Sequence, residues 1–368
     1  MKYIDEFRDP ALAGVLAQKI AARVLPGRSY RFMEFCGGHT HAIARYGLVD
    51  VLPAPVRMIH GPGCPVCVLP IGRIDMAIEL ATHFDAILCT YGDMLRVPAS
   101  GGMSLRIARA RGADVRMVYS TLDALHIARD NPGRDVVFFA IGFETTTPAT
   151  ALALQTARRE GLRNFGVLCC HVRTPPAIEH LLAAKDDVAI DGFIGPAHVS
   201  TVIGSRAYAD CADRYRKPVV IAGFEPLDIL QAVWMLVGQV NEGRCDVENE
   251  FTRAVRPQGN PRALACIEEV FTLRPSFEWR GLGEVPYSAW QMRESYADFD
   301  AERRFPVQYH PVPDHKGCDC AAVLRGQKTP SECRLFGKAC TPENPVGACM
   351  VSSEGACAAH YSYGRHRG

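Results

Sequence analysis

Residues 32–44 read FMEFCGGHTHAIA and residues 137–149 read VFFAIGFETTTPA; their shared layout decides the fold. Each is an apolar run, a glycine turn and a threonine-bearing entry to a helical pattern, as when a strand feeds a helix. Gly37 and Gly142 stand 105 residues apart. FDAILCTYGDM (84–94) pairs with IDGFIGPAHVS (190–200), where Asp85 to Asp191 is 106. VYSTLDALHIA (118–128) pairs with GFEPLDILQAV (223–233), where Asp123 to Asp228 is again 105. Three segments holding nearly one offset predict two related four-stranded units.

Working outward, short β-branched or aromatic runs alternate with longer helical patterns, which predicts an α/β fold with parallel sheets. Expected strands are Tyr30–Phe35, Val56–His60, Asp85–Thr90 and Asp114–Ser120, then Asp135–Ile141, Phe165–Cys170, Gly192–Gly195 and Pro218–Ala222. Helical patterns lie between them, among them Gly72–His83, Pro148–Arg159 and Pro176–Ala184. The C-terminal ends of parallel strands gather loops and helix N-termini, so facing copies would place their glycine motifs around a shared cleft. Past about residue 258, helices over Arg262–Phe271 and Ser288–Asp298 are expected to lead into a Pro-, Gly- and Cys-rich tail without strand periodicity.

The 368 residues carry 41 basic and 40 acidic side chains, a formal charge of +1, which gives no electrostatic footprint for nucleic acid or an anionic membrane. No apolar run approaches the roughly 18 residues of a spanning helix. Asp5, Glu6 and Asp9 stand where a signal peptide would be positive, and Ile4, Phe7, Leu12, Val15, Leu16 and Ile20 recur at helical spacing. A soluble, cytoplasmic protein opening on an amphipathic helix is expected.

Fifteen cysteines in a chain of this kind argue for metal or redox chemistry in a reducing compartment. Cys89, Cys169, Cys170, Cys211, Cys245 and Cys266 sit in apolar or amphipathic stretches and read as plain buried thiols. Cys318, Cys320, Cys333, Cys340, Cys349 and Cys357 crowd into 40 residues too short and polar to build a core. A metal centre stabilises such a stretch, either Zn²⁺ or an iron–sulfur cluster. One Cys-x-Cys pair with otherwise wide spacings favours the cluster over zinc.

Cys36-Gly37-Gly38-His39-Thr40-His41 follows a strand and opens a helix, whose N-terminal amides would stabilise a thiolate. A thiolate beside imidazole suits iron; the bland alternative is a tight turn with an incidental cysteine. Gly61-Pro62-Gly63-Cys64-Pro65-Val66-Cys67 sets a Cys-x-x-Cys after the next strand, able to form a disulfide or half a metal site. In the second copy Thr147 reads as a helix cap and Pro148 as the first helical residue. Glu144 could act as acid, base or distant iron ligand, or merely cap or lie on the surface. His198 is a site candidate with a structural role as its alternative, and Glu225 is a weaker one. No phosphate loop, dinucleotide fingerprint, nucleophile elbow or radical-SAM triplet is present, which sends nucleotide-driven chemistry to another protein.

Six ordered motifs together resemble the hydrogenase-maturation family HypD: CGGHTH (36–41), GPGCPVC (61–67), GFETTTP (142–148), PAHVSTVIG (196–204), GFEPLD (223–228) and ENPVGACMVSSEGAC (343–357). The resemblance implies a scaffold on which iron acquires carbon monoxide and two cyanides. Its implied partners are a HypC-type chaperone, a HypE-type cyanide donor and, indirectly, the hydrogenase large subunit. It implies Cys36 as iron ligand, Cys64 and Cys67 as a redox pair, and His39 or His41 as aids. The family's C-x14-C-x6-C-x16-C pattern falls on Cys318, Cys333, Cys340 and Cys357 for a [4Fe-4S] cluster, leaving Cys320 and Cys349 outside. The expected architecture is an N-terminal helix (1–27), two related parallel-sheet α/β domains around a cleft (28–130 and 131–258), and a C-terminal helical and iron–sulfur domain (259–368). An iron–sulfur-dependent thiol–disulfide reductase acting on an external protein is the alternative.

Overall fold

The computed structural model describes residues 4–184 and 188–364. Its strands are β1 (Tyr30–Glu34), β2 (Val56–His60), β3 (Ile87–Thr90), β4 (Val115–Met117), β5 (Val136–Gly142), β6 (Phe165–His171), β7 (Gly192–Pro196), β8 (Val219–Ala222), β9 (Val247–Asn249), β10 (Phe271–Trp279) and β11 (Gly283–Met292). Two parallel sheets form, one ordered β2-β1-β7-β8-β9 and the other β4-β3-β5-β6. The α/β class with parallel sheets is as expected.

The expected grouping of strands is not. Under the 105-residue offset β1 to β4 correspond to β5 to β8, yet each sheet joins the leading pair of one copy to the trailing pair of the other. β1 pairs with β7 through Met33 and Phe193, and β3 with β5 through Leu88 and Val137. Neither sheet is therefore contained in 28–130 or in 131–258. An offset records which segments are alike; it does not record which copy's strand an edge accepts, because both copies offer equivalent apolar runs.

β3, β5, β6, β7 and β8 are buried along their whole length, as strands covered on both faces must be. One core lies between the sheets, holding Met33, Phe139 and Phe193 together with most of the tail cysteines. A second backs β5 and β6 with the helices Thr147–Glu160 and Pro261–Val270. A third backs β1 and β8 with the helices Pro10–Arg23 and Pro226–Glu242. Phe32, Phe138, Phe139, Phe165 and Phe193 are wholly buried, each contributing roughly 1.5–3 kcal/mol.

The N-terminal helix runs Pro10–Arg23, capped by Asp9, which accepts from the Ala11 amide at 2.8 Å. Of its expected apolar face Ile20 is buried, while Leu12 and Val15 stay exposed. The second-copy helix begins one residue early: Thr146 is its cap residue, without a side-chain cap bond, and Pro148 is its second residue. Cys89, Cys169, Cys170 and Cys211 are buried as expected; Cys245 and Cys266 are only half-buried.

After the helix Pro261–Val270 the expected helix Ser288–Asp298 does not exist. β10 and β11 form an antiparallel hairpin that takes in Ser288–Met292, followed by a 3₁₀ turn, Glu294–Phe299. A register shift between Arg274 and Ser276, at Pro275, breaks the alternation that would have announced the strand. Trp279 Nε1 donates to Ser288 Oγ at 2.9 Å, and the Arg173 amide to the Ser288 carbonyl at 2.7 Å, which ties the hairpin to β6. Among the described residues no helix is long and apolar enough to cross a membrane.

Candidate functional site

Cys36 sits where β1 ends and the helix Gly37–Tyr46 begins, in extended conformation at the cap position. Beneath it lies Glu34, wholly buried in a strand. Its carboxylate accepts from the Cys36 amide at 3.0 Å, from the Thr40 hydroxyl, and pairs with His60 Nδ1 at 2.9 Å. Burial pushes the Glu34 carboxyl up, and His60 pulls it back.

The Gly61–Cys67 loop leans on this floor. The Gly61 amide donates to the Glu34 carbonyl at 2.9 Å, and the Gly37 amide to the Gly63 carbonyl at 3.0 Å. A Cβ on Gly63 would lie 2.2 Å from the Cys36 nitrogen, so the loop can come this close only with glycine there. The next residue, Cys64, is disulfide-bonded to Cys67, with Cα atoms 5.2 Å apart and side chains 3% and 0% exposed. Cys36, Cys64 and Cys67 are thus brought to neighbouring strand ends.

The helix amides act on Cys36 as expected, but its surroundings oppose them. Burial, Glu354 and Glu34 push the thiol up to about 12, against the pull of the Gly38 and His39 amides. A buried site flanked by carboxylates outweighs two amide dipoles.

His39 is buried, with Nε2 at 3.0 and 2.9 Å from the carbonyls of Ala222 and Gly223. Only a donor fits between two carbonyls, so Nε2 carries the proton and Nδ1 is a bare lone pair, without a partner. Burial holds its pKa down at about 4 and the ring neutral. Its ring packs on Phe224 at 4.8 Å, and His198 packs on the same Phe224 at 4.3 Å. His41 reaches the Ser353 carbonyl through Nδ1 at 3.2 Å. Glu225 is drawn away into an ion pair with Arg8 at 2.8 Å.

Glu144 is not on the surface. It is buried, accepts from the Thr174 amide at 2.8 Å and hydroxyl at 3.0 Å, and borders a separate 630 Å³ cavity with Arg173 and Trp290. It ties the turn after β5 to the start of the helix Thr174–Ala183.

The tail folds back over the site. Glu354 approaches the first turn after Cys36: a Cβ on Gly37 would stand 2.8 Å from its Oε2. Two openings meet there. One, of 410 Å³, is bordered by Pro65, Tyr91, Asp93, Gly142 and Glu354 and so joins loops from both sheets. The other, of 370 Å³, is bordered by His41, Arg45, His198, Phe224 and Glu354.

Cys320 touches Cys318, Cys349 and Cys357, and Cys357 feels Cys318 and Cys340 electrostatically. Cys333 Sγ points to the Gly317 carbonyl at 4.0 Å, beside Cys318. Cys318, Cys320, Cys349 and Cys357 thus adjoin one another, with Cys340 near Cys357, so the two that the family pattern leaves out are among them. Hydrogen bonding from Cys320 brings the Cys318 thiol down to about 7. The turn Ala348–Met350 packs on the helix Pro65–Val68, and Arg280 ties that helix to the hairpin through the Val68 carbonyl at 2.7 Å. Among the described residues no three His, Cys, Asp or Glu donors already form a metal-ligating group. The donor chemistry, six thiols within one 40-residue tail, is the kind that an iron–sulfur cluster or zinc takes.

Glu34, His60 and Glu354 escaped the reading of the sequence. A carboxylate inside an apolar strand was the available signal for the first. The other two carried none that distinguishes them.

A sheltered thiol, an adjoining Cys-x-x-Cys and a thiol-rich tail, all at the strand ends of two interleaved sheets, define a cysteine-centred α/β protein. The HypD family model, described as "Hydrogenase formation hypA family", matches residues 11–364. The "Hydrogenase maturation factor HypD" of Cupriavidus necator is 64% identical across 100% of this chain and 98% of its own. That of Escherichia coli K12 is 48% identical across 99% and 98%, and the "Hydrogenase expression/formation protein HupD" of Azotobacter chroococcum 64% across 100% and 98%. The chain belongs to the HypD family of hydrogenase maturation factors.

Proposed function

We propose that this chain is a cytoplasmic scaffold for maturing nickel–iron hydrogenases, on which an iron ion, the substrate, gains carbon monoxide and two cyanides. It works with a HypC-type chaperone and a HypE-type cyanide donor, and the finished unit goes on to the hydrogenase large subunit. The observation that carries the reading is the seating of Cys36 against the Cys64–Cys67 loop, with the tail thiols behind. Glu34 fixes the backbone of Cys36, so its sulfur is presented in one place to the metal and to the chaperone's thiol.

Cys318, Cys333, Cys340 and Cys357 would hold a [4Fe-4S] cluster. That group supplies one-electron transfer. Cys64 and Cys67 store two electrons and two protons as a dithiol and return them as a disulfide. Cys320 touches Cys318, Cys349 and Cys357, and the turn that bears Cys349 packs on the Pro65–Val68 helix. Nδ1 of His39 is free to accept a hydrogen bond or meet a metal, and the neutral ring adds no charge.

The alternative, reductase action on an external protein, requires an attacking thiol to reach the Cys64–Cys67 disulfide, and both sulfurs are buried. Anaerobic protein co-purified with its chaperone should show infrared bands of metal-bound carbonyl and cyanide. Cys36→Ala should lose them and keep tail iron and acid-labile sulfide. Absence of the bands from wild type, with thiol exchange on a protein substrate, would install the reductase instead. Zinc without sulfide would remove the cluster.

A further inference from the structure

The carboxylate of Glu354 has no role in the site as described so far. It stands at the junction of the two openings, bordering both. Its backbone is held: Gly355, the next residue, approaches the Cys349 carbonyl so closely that a Cβ there would lie 2.3 Å from it, and Ser353 accepts from His41. Arg96 secures the same segment through the Val351 carbonyl at 2.8 Å. The side chain then lies against Gly37, immediately after Cys36, with Oε2 2.8 Å from where a Cβ would be. The carboxylate keeps solvent contact; Arg8, which pairs with Glu225, and Arg45 border the 370 Å³ opening, and neither lines the 410 Å³ one. The charges near it are Asp93 and Glu34, of like sign, and His41, of opposite sign.

Asp93 and Glu354 border the 410 Å³ opening, which no lysine or arginine lines, and two carboxylates beside a thiol favour a dication there. A carboxylate oxygen suits hydrated ferrous ion before it takes up strong-field ligands, and sulfur suits it after. We infer that Glu354 is the oxygen donor of the Cys36 site, receiving incoming ferrous ion where the openings meet and holding it beside the Cys36 sulfur. The inference rests on the proposal that Cys36 binds iron. The step is ligand exchange without electron transfer: iron remains ferrous, waters leave, and the Cys36 thiol proton passes to solvent through an opening. Glu354 acts at loading, and its position on the tail ties loading to a correctly folded tail.

Cobaltous ion, titrated anaerobically into the full-length protein with its tail centre intact, reports the site by thiolate-to-metal charge-transfer absorption. Wild type should show a band that Cys36→Ala lacks. Glu354→Gln, close in shape, should bind at least about tenfold more weakly with circular dichroism and tail absorption unchanged. Binding by Glu354→Gln within about twofold of wild type overturns the inference. A band equal in wild type and Cys36→Ala overturns the Cys36 reading itself, a distinguishable failure. A readout without any variant is carbodiimide coupling of Glu354 followed by mass spectrometry: saturating cobalt should suppress it, and undiminished coupling counts against the assignment even if Glu354→Gln misfolds.

Discussion

Gly63→Ala tests the geometry on which the site depends. The added Cβ would meet three backbone atoms, the Cys36 nitrogen at 2.2 Å, its Cα at 2.5 Å and the Phe35 carbonyl carbon at 2.6 Å. None is the yielding end of a side chain. Ordinary contact is near 3.5 Å, so loop and strand end must separate by about 1.3 Å. The Gly37-to-Gly63 hydrogen bond, 3.0 Å long, cannot survive that movement. Overpacking and the lost bond together cost about 2–4 kcal/mol. Displacing Cys36 from the Cys64–Cys67 pair by more than 1 Å should lower maturation about 100-fold. Denaturant unfolding measures the first quantity, and hydrogenase activity in cells whose only copy is the variant measures the second. Gly133→Ala, which meets nothing within 4 Å, is the control. If Gly63→Ala equals that control in both assays, the close packing of the two motifs is not what sets the site.

Glu34→Ala strands the Cys36 amide, the Thr40 hydroxyl and His60, and should cost about 2–4 kcal/mol by denaturant unfolding. His39→Phe leaves the Ala222 and Gly223 carbonyls without their donor and should cost about 1–3 kcal/mol in the same assay, while the tail absorption persists. His171 is buried against Thr150 at 2.8 Å, and burial holds its pKa at about 4. Above about pH 6.5 it is neutral folded or unfolded, and below that only the unfolded chain takes the proton. Between pH 7 and 5 wild type should therefore lose about 2 kcal/mol more than His171→Leu, and equal losses would show that this histidine titrates in place.

The strands were readable because buried parallel strands are continuous apolar runs, and every expected strand recurs within a few residues. The motif cysteines were readable because glycine and proline around a thiol are costly unless a close approach needs them. Pairing was hidden: Met33 meets Phe193 rather than a strand of its own half, and nothing local distinguishes the two. The hairpin was hidden by the break at Pro275. Glu34 was not singled out, since burial of one carboxylate depends on Cys36, Thr40 and His60 coming together around it. In the tail, spacing counted six thiols but could not show that Cys320 stands in the middle of them.

The exchange of strand pairs between the copies bears on how the chain is made. Met33 needs Phe193, 160 residues later, to complete its sheet. At 5–20 residues per second a ribosome takes roughly 8–30 s to supply it. Throughout that interval β1 and β2 have an open edge, and the first half has no finished sheet of its own. A polypeptide cut between the halves would yield two fragments that must find each other, because each carries half of both sheets.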